Sequence, residues 1–293
     1  MPRTQPWKVS DLLWEQVEPL IPQAPSYAKG GRPRMSNRQA FEAIIYVLRT
    51  GIQWNALPRE LGASSTVHDR FQEWEKAGFF KALWQAGLAS YDEVQGIQWE
   101  WQAVDGAMTK APFAGAATGA NPTDRGKKGV KRSLLTDGAG IPLAIVIAGA
   151  NRHDMKLLCA TLDGMVIARP EPTPAQPQHL CLDAGYDYPA IREQVEAHDY
   201  LPHIRGRGQE KQEKIATPGF QARRWVVERT HSWLNRSRRL LVRLSRRRSR
   251  IIWLFSIWLV LSSWLPKFSL GKKFVFLLPL LLAEGTLRSP NDL

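Results

Sequence analysis

Ser133–Gly149 reads SLLTDGAGIPLAIVIAG, two apolar runs on either side of Asp137-Gly138-Ala139-Gly140. Glycines beside an acid between two such runs signal a tight turn, because only residues that tolerate unusual backbone angles reverse a chain in so few positions. The stretch therefore reads as a β-hairpin. Upstream, IQWEWQAVDGA (97–107) is a further strand-like run broken at Asp105-Gly106. Downstream, QHLCLDAGYDY (178–188) is another, broken at Asp183-Ala184-Gly185, and it follows the Pro-rich loop Ala168–Gln178. YPAIREQVEAHD (188–199) and RRWVVERTHSWLNRSRRLLVRL (223–244) have helical periodicity. A hairpin followed by strand, helix, strand and helix predicts a mixed α/β sheet domain.

Residues 10–95 have a different period and read as helices. SDLLWEQVEPLI (Ser10–Ile21) opens on a serine cap and sets Leu13, Val17 and Leu20 on one face. Asn37–Gly51 carries a stripe of Phe41, Ile44, Ile45 and Leu48, and Gly51 stands where a C-terminal cap belongs. NALPRELG and SSTVHDRFQEWEKAG predict two short helices joined at Gly62 and Ala63, the second capped by Ser64 or Ser65. That is a helix-turn-helix pattern, and an ordinary helical bundle fits the same residues.

Composition narrows the function. In 293 residues there are 40 Lys and Arg against 27 Asp and Glu, a net charge of +13, which favours a polyanionic partner, nucleic acid before an acidic membrane surface. Two cysteines, Cys159 and Cys181, form no metal-binding spacing or disulfide framework and suit a reducing cytoplasm. MPRTQPWKVS lacks the apolar run of a signal peptide.

Three acids stand out. Asp105 and Asp183 end strands, where α/β sheets build their sites, and Glu228 lies in a helix between Val226-Val227 and the basic Arg229, with Arg224 one turn before it. Three such carboxylates can hold two divalent cations about 4 Å apart for in-line phosphoryl transfer, and oxygen ligands suit Mg²⁺. Taken singly, each acid has a plainer reading, a turn for the aspartates and a pair with Arg224 for the glutamate. Asp137 reads as a turn residue. His153 reads either as a phosphate contact or as a cap or core side chain.

VDGAMTKAP (104–112), GANPTDRGKKGVKRSLLTDGAGIPLAIVIAGANRHD (119–154), LCLDAGYD (180–187) and RRWVVERTHSWLNRSRRLL (223–241) together resemble the insertion-sequence DDE transposases of the IS-five type, in the IS-four/IS-five superfamily. GGRPRMSNRQAFEAIIYVLRTGIQWNALPRELG (30–62) resembles the helical domain preceding the catalytic domain in that family. The resemblance covers roughly residues 10–243. It implies an RNase-H-like catalytic domain, a mixed sheet flanked by helices over 96–243, preceded by an all-helical, helix-turn-helix-like DNA-binding domain over 1–95. It also implies Asp105, Asp183 and Glu228 as the catalytic, metal-holding triad, with Mg²⁺ as cofactor and Mn²⁺ as its substitute. Strand cleavage and transfer at terminal inverted repeats follow, with double-stranded DNA as partner, a homodimer in the DNA complex and a nucleoid-associated, cytoplasmic bacterial location. The family's signature around the glutamate has a Tyr, an Arg and a distal Lys; Arg224 matches the Arg, whereas Gln221 and Asn235 stand at the other two positions. Given the resemblance, the basic loop suits phosphate contacts through Arg125, Lys127, Lys128, Lys131 and Arg132, and Arg224, Arg229, Arg236, Arg238 and Arg239 extend that surface. The alternative is a transposase relic that retains only DNA binding.

From residue 244 the pattern departs. RRRSRIIWLFSIWLVLSSW (Arg246–Trp264) looks like a membrane anchor, but Ile251–Leu265 is fifteen residues, short of the ~20 that a span needs. Codons can be assigned to Arg250–Leu261 so that the frame one nucleotide earlier reads ENYLAFQHLACA, a string like the family's ordinary C-terminal helix. Residues 244–293 are therefore expected to be out of frame, with no membrane partner.

Overall fold

A computed structural model describes residues 7–24, 33–204 and 223–236 of the chain. They fall into two compact units: the described residues up to Val47 together with Ile52–Phe79, and Leu48–Gly51 with the described residues from Phe80 onward.

In the first unit, helix α1 spans Asp11–Val17, and Ser10 caps it by accepting a hydrogen bond from the Leu13 amide at 3.3 Å. Pro19 lacks the amide that an α-helix needs, and the chain tightens there into a 3₁₀ turn over Glu18–Leu20. Helix α2 spans Asn37–Thr50, its last three residues counted with the second unit, and Gly51 follows at φ +70°, the left-handed end anticipated from the sequence. NALPRELG forms no α-helix; Pro58 divides it into two 3₁₀ turns, Trp54–Ala56 and Arg59–Leu61. Helix α3 spans Ser64–Lys76 with Ala63, rather than a serine, at its N-cap and no side-chain cap. Phe41, Trp74 and Phe79 interlock in this unit's core, the Phe41 and Phe79 rings edge to face at 6.0 Å.

The second unit begins along helix α4, Phe79–Gln95. The boundary falls after Phe79, so most of α4 belongs with the sheet and not with the helical residues before it. Gln85 shows why, its side-chain amide donating to the Val166 carbonyl at 2.8 Å.

The strands are β1 (Trp101–Lys110), β2 (Gly119–Ala120), β3 (Lys128–Thr136), β4 (Pro142–Gly149), β5 (His179–Leu182) and β6 (Leu201–Ile204). β1 is central. It pairs antiparallel with β3, which pairs antiparallel with β4 and with the short β2, and it pairs parallel with β5, which pairs parallel with β6. The expected hairpin is β3–β4. Asp137 shapes its turn, accepting from the amides of Ala139 at 2.9 Å, Ile141 at 2.7 Å and Gln98 at 3.0 Å. This is the turn role read from the sequence, fully buried.

Helices cover both faces. Helix α5 (Leu158–Leu162) lies on the face that carries Ser133, where Thr161 Oγ1 donates to Ser133 Oγ at 2.8 Å. Helix α7 (Trp225–Asn235) lies on the opposite face and bonds to Arg132 and the Asp105 backbone, while α6 (Pro189–Glu196) packs beside β6. β3 is buried along nearly its whole length because both of its faces are covered. Among the described residues no helix is long and apolar enough to cross a membrane. The reading of residues 244–293 as an out-of-frame tail lies outside the described residues, as do Gln221, Arg238 and Arg239.

Candidate active site

The two aspartates reach the site by different routes. Asp183 directly follows the last residue of β5 and caps the 3₁₀ turn Ala184–Tyr186. Asp105 does not end its strand, as the sequence suggested; β1 runs on to Lys110. Its parallel pairing with β5 stops at Ala103, however, so Asp105 lies just beyond the point where β5 leaves. Both aspartates thus fall at the carboxyl end of β5, where parallel strands of α/β sheets present their functional groups.

Helix α7 brings Glu228 to the same arginine as Asp183. Val226 and Val227 are buried, whereas the Glu228 side chain is 49% exposed, more open than its apolar neighbours suggested. Arg224, four residues earlier on the same helical face, joins the acids. Its Nη1 lies 2.5 Å from Glu228 Oε1 and 3.8 Å from Asp183 Oδ1. His231, one turn beyond Glu228, meets Asp105; its Nε2 lies 3.2 Å from the Asp105 backbone oxygen and 3.9 Å from Oδ2.

Burial pushes the Asp105 carboxyl up to about 6, against the lowering effects of the Gly106 amide and the Arg224 charge; Glu228 and Asp183 add to the rise. Burial, and then the Arg132 charge, push His231 down to about 4, so its ring is neutral and serves Asp105 as a hydrogen-bond donor. Tyr186 is 2% exposed, its hydroxyl has no hydrogen-bond partner, and burial together with Asp154, Asp105 and Asp183 raises its pKa, which keeps the phenol protonated beside the acids.

The opposite face of the sheet braces the site. Lys131 Nζ donates to Asp154 Oδ2 at 2.7 Å, and a Cβ at Gly106 would run into Oδ1 of that same Asp154. The glycine after Asp105 is therefore required for Asp154 to approach β1.

All-oxygen carboxylate donors suit hard divalent cations. Among the described residues no three His, Cys, Asp or Glu side chains are gathered so as to hold an ion as they stand. The Arg224 guanidinium lies against two of the three acids instead.

The basic residues divide. Arg125, Lys127 and Lys128 are exposed, Lys127 also pairing with Asp124 at 3.1 Å, and Arg236 is exposed at the end of α7. Lys131 and Arg132 correct the sequence reading, because both are buried, Lys131 on Asp154 and Arg132 on Asn235. Arg229 is corrected too. Its Nη2 donates to the Ala139 carbonyl at 2.7 Å, and its guanidinium lies 4.3 Å from the Trp225 ring and 5.1 Å from the Trp233 ring, so it fastens α7 to the hairpin. His153 is exposed at the start of a 3₁₀ turn and makes no side-chain capping bond. His231, Tyr186 and Asp154 were not singled out from the sequence. The signal for His231 was its three-residue spacing from Glu228, which puts both on neighbouring faces of one helix.

A central strand flanked by antiparallel strands on one side and parallel strands on the other, with helices on both faces, defines an RNase-H-like domain. The family described as "Transposase DDE domain" matches residues 101–263, more than half of the chain, and the chain belongs to that family. The match runs past Arg243, where the resemblance to the IS-five type ends. A second family, described as "Putative transposase of IS4/5 family", matches residues 9–84. Relatives include the "Putative transposase for insertion sequence element IS402" of Burkholderia cepacia, 39% identical over 44% of this chain and 60% of that protein. The "Insertion element IS402 uncharacterized 16.2 kDa protein" of the same organism is 36% identical over 39% of this chain and 80% of its own length. The chain thus spans less than two thirds of the IS402 transposase. Among solved structures, a piggyBac transposase synaptic complex with hairpin DNA aligns with 85% of this chain and 68% of its own, at a TM-score of 0.40 and 9% identity.

Proposed function

We propose that the chain is a transposase that binds double-stranded DNA at terminal inverted repeats and carries out strand cleavage and transfer into target DNA through Asp105, Asp183 and Glu228. The observation that carries this is the reach of one Arg224 nitrogen to both Asp183 and Glu228, with its charge felt by Asp105 as well. Asp183 and Glu228 share one arginine, and both add to the rise of the Asp105 pKa; a cation-dependent reaction on a phosphodiester gives the three acids a common task.

The three acids would hold Mg²⁺, or Mn²⁺ in its place, and the bound cations would supply activation of the attacking oxygen and neutralisation of charge on the leaving one. Asp105, pushed up to about 6, is ionised at neutral pH and ready to act as a ligand. Neutral His231 holds the β1 backbone at Asp105 from the helix that carries Glu228, and so fixes one aspartate relative to the glutamate. Arg224 presents a guanidinium suited to a phosphate oxygen. The exposed Arg125, Lys127, Lys128 and Arg236 would follow the DNA backbone, to which the net charge of +13 draws the chain. A homodimer would hold two element ends together, in the bacterial cytoplasm where the nucleoid supplies both ends and target.

The test is cleavage of DNA carrying the element's ends. Asp183→Asn abolishes strand cleavage and leaves DNA binding nearly intact, because the acid holds metal and not DNA. Cleavage that persists in Asp183→Asn, or in excess chelator, overturns the reading.

A further inference from the structure

We propose that Arg224 is the resident cation of the carboxylate site, and that DNA opens the site to divalent metal by drawing Arg224 away. The inference rests on the reading of Asp105, Asp183 and Glu228 as metal ligands given above.

Arg224 holds Glu228 Oε1 at 2.5 Å and lies 3.8 Å from Asp183 Oδ1. Its side chain is 23% exposed and those of Glu228 and Asp183 about half exposed, so water reaches the acids and a competing anion or cation can reach them too. Its charge also reaches Asp105. One guanidinium thus serves all three acids. A divalent cation between Asp183 and Glu228 would meet that positive charge at contact range, and the two cannot share the same oxygens. This explains why three converging acids form no ready-made chelate among the described residues.

Arg224 precedes the first residue of α7, so its long side chain can swing while the helix and Glu228 stay docked. A phosphate matches a guanidinium as well as a carboxylate does, through paired N–H···O bonds. A DNA strand laid against these acids offers Arg224 a new anion and frees Glu228 and Asp183 for metal. Linkage makes the effect reciprocal: DNA tightens metal binding, and metal tightens DNA binding. Metal-dependent chemistry is thereby held back until a strand is present.

The experiment is calorimetric titration of Mn²⁺ into the full chain, with and without a short double-stranded oligonucleotide, for the wild type, Arg224→Gln, Arg224→Lys and Asp183→Asn. Circular dichroism and thermal melting establish that each variant is folded. Without DNA, Arg224→Gln is expected to bind Mn²⁺ roughly tenfold more tightly than the wild type, a typical coupling between sites. Arg224→Lys, which keeps the charge, stays close to the wild type. DNA tightens Mn²⁺ binding in the wild type and not in Arg224→Gln. Unchanged or weaker Mn²⁺ binding by Arg224→Gln overturns the proposal, and an equal DNA effect in both proteins overturns the displacement by DNA. Loss of Mn²⁺ binding in Asp183→Asn in that same experiment leaves the metal site standing, whereas wild-type binding by Asp183→Asn overturns the site itself.

Discussion

Arg132 and Asn235 join the sheet to the helix that covers it: Arg132 Nη2 on β3 donates to Asn235 Oδ1 in the last turn of α7 at 2.6 Å. Arg132 is fully buried, and burial alone lowers its pKa to about 10, so it stays charged at neutral pH. Its Nε and Nη1 have no hydrogen-bond partner. Asn235 occupies the position at which the family's signature has a lysine. A lysine here would bring a second cation to a buried guanidinium, and a neutral acceptor is the compatible choice. Asn235→Asp is expected to raise stability by about 1–2 kcal/mol, because it gives the stranded charge a counter-ion. Asn235→Lys is expected to lower it. Thermal melting of the two variants checks the order, and the reverse order would discard this account of the departure from the signature.

His231 makes stability depend on pH. Its folded pKa, about 4, lies below the ordinary 6.5. Between those values the unfolded chain takes up a proton that the folded chain refuses, so this contribution is complete above 6.5 and is lost as pH falls toward 4. The amount is on the order of 3 kcal/mol. Asp105 works in the opposite direction, since its raised pKa favours the fold below 3.8 and less so as pH rises through about 6. The two offset each other in the wild type, and His231→Gln separates them. In metal-free buffer, the stability difference between the wild type and His231→Gln should shrink from pH 7 to pH 4.5. A constant difference would show that His231 does not titrate between those limits.

Gly140 fixes how α7 docks on the hairpin. Its φ is +90°, and an added Cβ would lie 2.9 Å from Thr230 Oγ1 and 3.2 Å from Val226 Cγ1. Gly140→Ala is expected to cost about 2 kcal/mol, combining backbone strain with the push on the helix. The same push displaces Glu228, two residues from each of those side chains, so strand cleavage should fall further than DNA binding. A variant with wild-type melting and cleavage would contradict this docking.

Much of the catalytic unit was legible because its signals are local. The hairpin was visible in Asp137-Gly138-Ala139-Gly140, and Asp183 was visible as a strand end, since turn chemistry depends on neighbouring residues. The position of Asp105 was not, because the point where β5 stops pairing with β1 is a tertiary fact. Nor was the burial of Lys131 and Arg132. They continue the run begun by Arg125, yet their partners Asp154 and Asn235 are distant in sequence, and strand alternation sends them to opposite faces of a sheet covered on both sides. NALPRELG failed as a helix because Pro58 divides segments too short to recover.

That division of the basic loop can be tested directly. Arg125, Lys127 and Lys128 are exposed, and removing them costs the fold little, because surface substitutions usually stay within about 0.5 kcal/mol. If they bind phosphates, replacing all three with alanine lowers DNA affinity, and the slope of log affinity against log salt becomes shallower by about 0.9 for each phosphate no longer neutralised. Lys131→Ala should behave differently. It leaves Asp154 without its 2.7 Å partner, on a carboxylate whose Oδ1 is already buried and unpaired, and so destabilises the fold beside Gly106. Salt-dependent binding and thermal melting, measured on both variants, separate the two roles. An unchanged salt slope in the triple variant would remove the loop from the DNA interface, and a fully stable Lys131→Ala that binds DNA less tightly would return Lys131 to it.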